Sequence, residues 1–126
     1  MEMLKYDIAV NVQTEYLPHQ STPSESRYVF AYHITITNCG TQAAKLLSRH
    51  WIITNGDEKI QEVKGGGVVG EYPHLESGES FQYSSGTVMD TVVGSMHGSY
   101  QFIADDGTEF EAPIRAFRLS VPNQVH

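Results

Sequence analysis

Six consecutive residues, Gly65-Gly66-Gly67-Val68-Val69-Gly70, have the spacing G-x-G-x-x-G. Where a parallel strand runs into a helix, such glycines let backbone N–H groups and the helix N-terminus hold a pyrophosphate. Lys64 precedes them as a charge partner, and Arg49 and His50 stand upstream as further anion ligands. Lys64, Gly65, Gly67, Gly70, Arg49 and His50 are thus the candidate anion or nucleotide site. A pyrophosphate or nucleotide is its ligand, and no other cofactor is implied. The surroundings do not suit a dinucleotide fold. Pro73, Ser77 and Gly78 follow closely and exclude a long helix. A weaker reading survives, because successive glycines at positive φ can turn amides inward as an anion nest. Glu62, Glu71 and Glu76 oppose it. The plainer expectation is a structural turn in a long connection. If the nest binds, Gly67→Ala is expected to abolish binding and leave the unliganded fold near normal.

Other residues offer less. The six histidines, His19, His33, His50, His74, His97 and His126, never fall at H-x-H or H-E-x-x-H spacing, so no metal site is expected. Spacing does not tell whether His50 and His74 meet in the fold. Asp105-Asp106-Gly107 presents oxygen ligands for Mg²⁺ or Co²⁺, yet Asp and Gly are what a hairpin turn needs for its own dihedrals. Ser95 and His97 lie two apart in a presumed turn-to-strand transition, without an assignable third acid, and there is no G-x-S-x-G elbow. An enzyme is not expected; a nucleotide hydrolase is the alternative. The single Cys39 forms no intrachain disulfide and is placed at a strand end.

The elements that must position these residues read as strands. Tyr6, Ile8, Val10, Val12 and Tyr16 alternate with Asp7, Asn11, Gln13 and Glu15, the pattern of a strand wet on one side. Arg27 to Asn38 is a second, with Tyr28, Phe30, Tyr32, Ile34 and Ile36 on one face. Ala44 to Thr54 is a third, Asn55-Gly56 signals a tight hairpin, and Glu58 to Val63 returns. Ser80 to Val88, Ser95 to Ala104 and Thr108 to Val121 complete the set, the last with Pro113 marking an edge or a bulge. About seven strands with Pro/Gly turns predict an all-β fold: one antiparallel β-sandwich domain over residues 1–126, of immunoglobulin or fibronectin type III kind. A closed barrel is the runner-up. Trp51 on the third strand is expected in the core, and Tyr100 as a corner tyrosine near the start of the penultimate strand.

Composition bounds the partners. The chain has 126 residues, a net charge of -7 and eight scattered Lys and Arg. Nucleic-acid binding, which needs clustered cations, is not expected. The start lacks a signal-peptide pattern and no run is long enough for a membrane span, so a cytoplasmic protein without membrane insertion is predicted. A protein partner is expected, and self-association stays open.

One resemblance spans nearly the whole chain. The stretch from Ser48 to Gly86, SRHWIITNGDEKIQEVKGGGVVGEYPHLESGESFQYSSG, together with GSMHGSYQF from Gly94 and IRAFRLSVP from Ile114, resembles the ApaG family. Arg115 stands where many members have proline. The resemblance implies a fibronectin type III-like sandwich in a bacterial cytoplasmic protein linked to cobalt resistance and magnesium efflux. It also implies use of the domain for protein interaction, and a suggested pyrophosphate role for Gly65, Gly67 and Gly70.

Overall fold

The computed structural model describes residues 4–122. Eight strands form two antiparallel sheets. They are β1 (Ile8–Tyr16), β2 (Tyr28–Asn38), β3 (Ala44–Asn55), β4 (Ile60–Gly66), β5 (His74–Leu75), β6 (Ser80–Met89), β7 (Val93–Ala104) and β8 (Glu109–Ser120). One sheet has the order β1-β2-β6. The other has the order β4-β3-β7-β8, with β5 beside the start of β3. The antiparallel sandwich follows from the alternation: side chains at every second position face the other sheet. Phe30, Tyr32, Ile34 and Ile36 of β2 thus meet Leu46 and Trp51 of β3 and Met96, Tyr100 and Phe102 of β7 in one core.

Some expectations change in detail. There are eight strands, not about seven, because Ala44 and Lys45 run past the end of β4 and pair instead with Leu75 and His74. The return strand reaches Gly66, so Gly65 and Gly66 belong to a ladder and not to a connector; they pair with Arg49 and Ser48. The hairpin after β3 is not a two-residue Asn-Gly turn. Positive φ falls on Glu58, at 63°, while the Asn55 side-chain carbonyl accepts the amides of Asp57 and Lys59 at 2.9 Å each. The Asn55 side chain thereby closes a longer loop. Tyr100 is no corner residue. It lies in the middle of β7, and its hydroxyl meets that of Tyr83 at 2.5 Å across the core.

Two further expectations stand. Ala44 to Thr54 is extended, and Pro113 sits on β8, an edge strand. A bulge sets Arg115 and Ala116 of β8 against His97 alone, so Gly94 to Gly98 is strand and not a transition out of a turn. A Cβ on Gly98 would lie 1.9 Å from the His50 carbonyl oxygen. Only glycine lets β3 and β7 approach there.

Candidate functional site

The β3–β4 register decides where the candidate residues point. Arg49 pairs with Gly65, His50 with Lys64 and Trp51 with Val63. Trp51 is buried in the core, so Arg49, two residues away, lies on the core side and His50 on the outer side. The six residues are therefore divided. Arg49, Gly65 and Gly67 come together on one face, His50 and Lys64 on the other, and Gly70 stands at the tip of the turn beyond.

On the outer face, His50 Nε2 lies 2.8 Å from Glu62 Oε1, and Lys64 Nζ lies 3.5 Å from the same oxygen. The hydrogen bond from His50, and then Lys64, hold the Glu62 carboxyl below its usual range. Beside them, Ser48 donates to Gln101 at 2.7 Å, and Gln101 donates to Ser99 at 2.8 Å and Glu111 at 3.2 Å. A shallow depression of about 490 Å³ is bordered by Ser48, Arg49, His50, Lys64, Gly65, Gln101 and Glu111. It brings Arg49, His50 and Lys64 near one another, with Glu62 already bonded to two of them.

The glycine motif forms a rigid turn. The Gly67 amide donates to the Leu47 carbonyl, and Val68 and Glu71 exchange both backbone hydrogen bonds, at 2.9 and 2.8 Å. Val69 and Gly70 between them have φ of 43° and 81°, the two positive values of a type I′ turn. No helix starts after Gly70. The loop points carbonyls, not amides, at its cation: Arg49 Nη1 donates to Gly66 O and Gly67 O at 2.9 Å each. Gly67 has φ of 59°, and a Cβ there would lie 2.4 Å from the Glu71 carbonyl oxygen. Gly67→Ala would disturb the turn itself, so it is not the neutral probe that the sequence suggests.

Between the edges of β4 and β6 the sheets stand apart. Two cavities of about 400 and 410 Å³ share Ile53, Gln61 and Val88 and make one slot. Tyr32, Trp51, Val63 and Met96 line its deeper part, and Arg49 borders it. Ile60 and Val88, 70% and 51% exposed, stand at its mouth. This slot escapes sequence reasoning, since its walls come from strands far apart in the chain.

A second feature also needed the register. His33 Nδ1 lies 2.6 Å from Ser84 Oγ, and Nε2 lies 3.2 Å from Glu15 Oε1. The three residues sit on neighbouring strands of the smaller sheet. This hydroxyl–imidazole–carboxylate chain lies open to water, which screens the fields that nucleophile activation relies on. His50 and His74 do not meet: His74 pairs with Asp105 at 2.8 Å, which raises its pKa. Asp105 to Gly107 form the β7–β8 turn, as the residue types predict. No hydrogen bond joins Ser95 to His97, and no group of three His, Cys, Asp or Glu suited to a metal occurs, among the described residues. Cys39 follows the last residue of β2 and is exposed. His126 lies outside the described residues.

The geometry defines an antiparallel β-sandwich whose candidate sites are a sheet face, a rigid turn and an open side, with no strand-to-helix crevice. Comparison with known proteins narrows this class. A family model described as the ApaG domain matches residues 18–104, and the chain belongs to the ApaG family. It is 57% identical to Protein ApaG of Thiobacillus denitrificans over 97% of this chain and 96% of that protein. It is 56% identical to Protein ApaG of Azotobacter vinelandii, covering 97% of each. The crystal structure of a protein assigned as ApaA from Bordetella pertussis superposes with a TM-score of 0.94 at 47% identity, over 98% of this chain and 100% of that one. Among the described residues, no helix is long and apolar enough to cross a membrane.

Proposed function

We propose that this chain is a non-catalytic binding module that holds a protein partner. Through that partner it serves cobalt and magnesium homeostasis, the efflux-associated role that the family resemblance implies. The observation that supports this reading is the β6 edge beside the slot. Natural edges are blunted by charge, proline, bulges or cover. β8 has Pro113, a bulge and four charged side chains at Glu109, Glu111, Arg115 and Arg118. β4 carries Glu62 and Lys64. β1 carries Glu15 and lies along β8. β6, SFQYSSGTVM, has no charge, no proline and unbroken register with β2. An edge of that kind is a template for an added strand.

The test is a strain carrying Gln82→Pro, which removes one outward N–H from the edge and leaves the ladder to β2 in place. Cobalt tolerance is expected to fall to the level of a deletion strain, while the purified variant melts within a few degrees of the parent. Full tolerance, or micromolar binding of Co²⁺ by the purified parent chain in calorimetry, would overturn the reading.

A second reading is a pyrophosphate-containing ligand in the outer-face depression. Its support is that Lys64, His50, Gly65 and Arg49 all border that depression. Such a ligand must displace Glu62 from His50 and Lys64. It would raise the melting temperature by mass action, and the absence of any shift with millimolar pyrophosphate or ATP would end it.

A further inference from the structure

The half-buried guanidinium of Arg49 is only partly used. Its Nη1 donates to the carbonyls of Gly66 and Gly67, which fixes the plane of the group. Its Nε and Nη2 donors have no hydrogen-bond partner, and no carboxylate lies within ion-pair distance, among the described residues. No side-chain donor or acceptor is buried without a partner among these residues, so the free donors reach solvent. Nε and Nη2 are the pair that grips a carboxylate side-on. Of the residues around the deeper cavity, Arg49 alone is charged. In a chain of net charge -7, this is a cationic spot in a slot of mixed lining: Ile53, Val63 and Met96 are apolar, Gln61, Ser85 and Thr87 polar, and Lys59 and Asp90 stand in its outer part.

The edge beside it has a definite hydrogen-bond phase. Asn38 N donates to Glu79 O, so odd-numbered residues of β6 bond to β2. The alternation of an antiparallel ladder then leaves the amides and carbonyls of Ser80, Gln82, Ser84, Gly86 and Val88 facing outward. A strand added there would turn every second side chain into the slot, opposite Tyr83, Ser85 and Thr87.

We infer that the slot takes an extended segment of a partner protein with an acidic side chain and, two residues away, an apolar one: the carboxylate closes on the Arg49 fork and the apolar group enters beside Ile53 and Val63. The inference rests on the partner-binding reading and adds the chemistry of the bound segment. A whole second copy of this chain is a poorer occupant. Two chains that each carry a net charge of -7 repel one another.

The probes are twelve-residue peptides alternating threonine and valine, with one inward position occupied by Glu, Gln or phosphoserine. Affinity is read by fluorescence anisotropy, and hydrogen exchange of β6 amides by NMR. The Glu peptide is expected to bind about tenfold tighter than the Gln peptide, the scale of one charge-assisted pair. It should slow exchange at Gln82, Ser84 and Gly86. Arg49→Lys, which keeps the charge and loses the fork, should remove most of that preference. Val63→Ala, which removes apolar contact from the slot wall, should weaken both peptides alike. Equal binding of the Glu and Gln peptides, with β6 protected by both, sinks the acidic anchor and leaves the edge reading standing. Preference for phosphoserine with displacement by inorganic pyrophosphate also overturns it, in favour of a phosphate site. Unchanged β6 exchange with every peptide at millimolar concentration removes both readings.

Discussion

Tyr83 and Tyr100 bury their hydroxyls against each other between the sheets. Burial pushes Tyr83 up to about 12 and Tyr100 upward as well. Each hydroxyl depends on the other, so Tyr100→Phe strands its partner and should cost about 1–3 kcal/mol in urea unfolding. Tyr83→Phe should cost about as much, and the double substitution clearly less than the sum. Additive costs would show that the pair is not coupled. The pH dependence has a definite sign. A folded-state value above the unfolded one, about 10 for tyrosine, means full stability below pH ~10. That stability is lost as pH rises from there through about 12. The doubly substituted chain should lose this part of its alkaline slope.

At the scale of the element, the turn after β4 holds a β-branched residue where glycine or asparagine belongs. Val69, at φ 43°, sits half-exposed at the tip, and the left-handed region costs such a side chain about 1–2 kcal/mol. Val69→Asn relieves that strain and should raise stability by about 1 kcal/mol in thermal unfolding. An unchanged or lowered midpoint would mean that the Val69 side chain contributes contacts worth more than the strain. The glycines are also accounted for at this scale. Gly65 lies against the Arg49 guanidinium, Gly66 against the Tyr72 hydroxyl, and Gly67 against the Glu71 carbonyl. Each meets its own chain closely, which accounts for these glycines without a phosphate fold around them.

Across the whole molecule, one core joins both sheets. Trp51 lies at its centre, with Tyr32, Tyr100 and Phe117 around it at ring distances of 5.5–6.3 Å. The sheets share this cluster, so neither is expected to persist alone. The red shift of Trp51 fluorescence and the loss of far-ultraviolet β signal should coincide in denaturant. Separate transitions would show that one sheet survives the other. Trp51 also lines the slot, so its emission in the native state offers a second reading of slot occupancy.

The fold was legible in the chain because strand alternation is a local property. Phe30, Tyr32, Ile34, Ile36 and Trp51 announce their burial through neighbours two residues away, and Asp105-Asp106-Gly107 announces its turn through its own dihedral needs. The glycine motif likewise betrayed its lack of a helix through Pro73, Ser77 and Gly78. Register is not local. One step along β3 separates Arg49 from His50 and commits them to different partners, Arg49 to the Gly66 and Gly67 carbonyls and His50 to Glu62. The hydroxyl–imidazole–carboxylate chain through His33, the fork left open on Arg49 and the unguarded β6 edge exist only once strands distant in sequence are laid side by side. Which side chains meet was decided by the tertiary structure, because cross-strand neighbours are set by pairing and not by sequence separation.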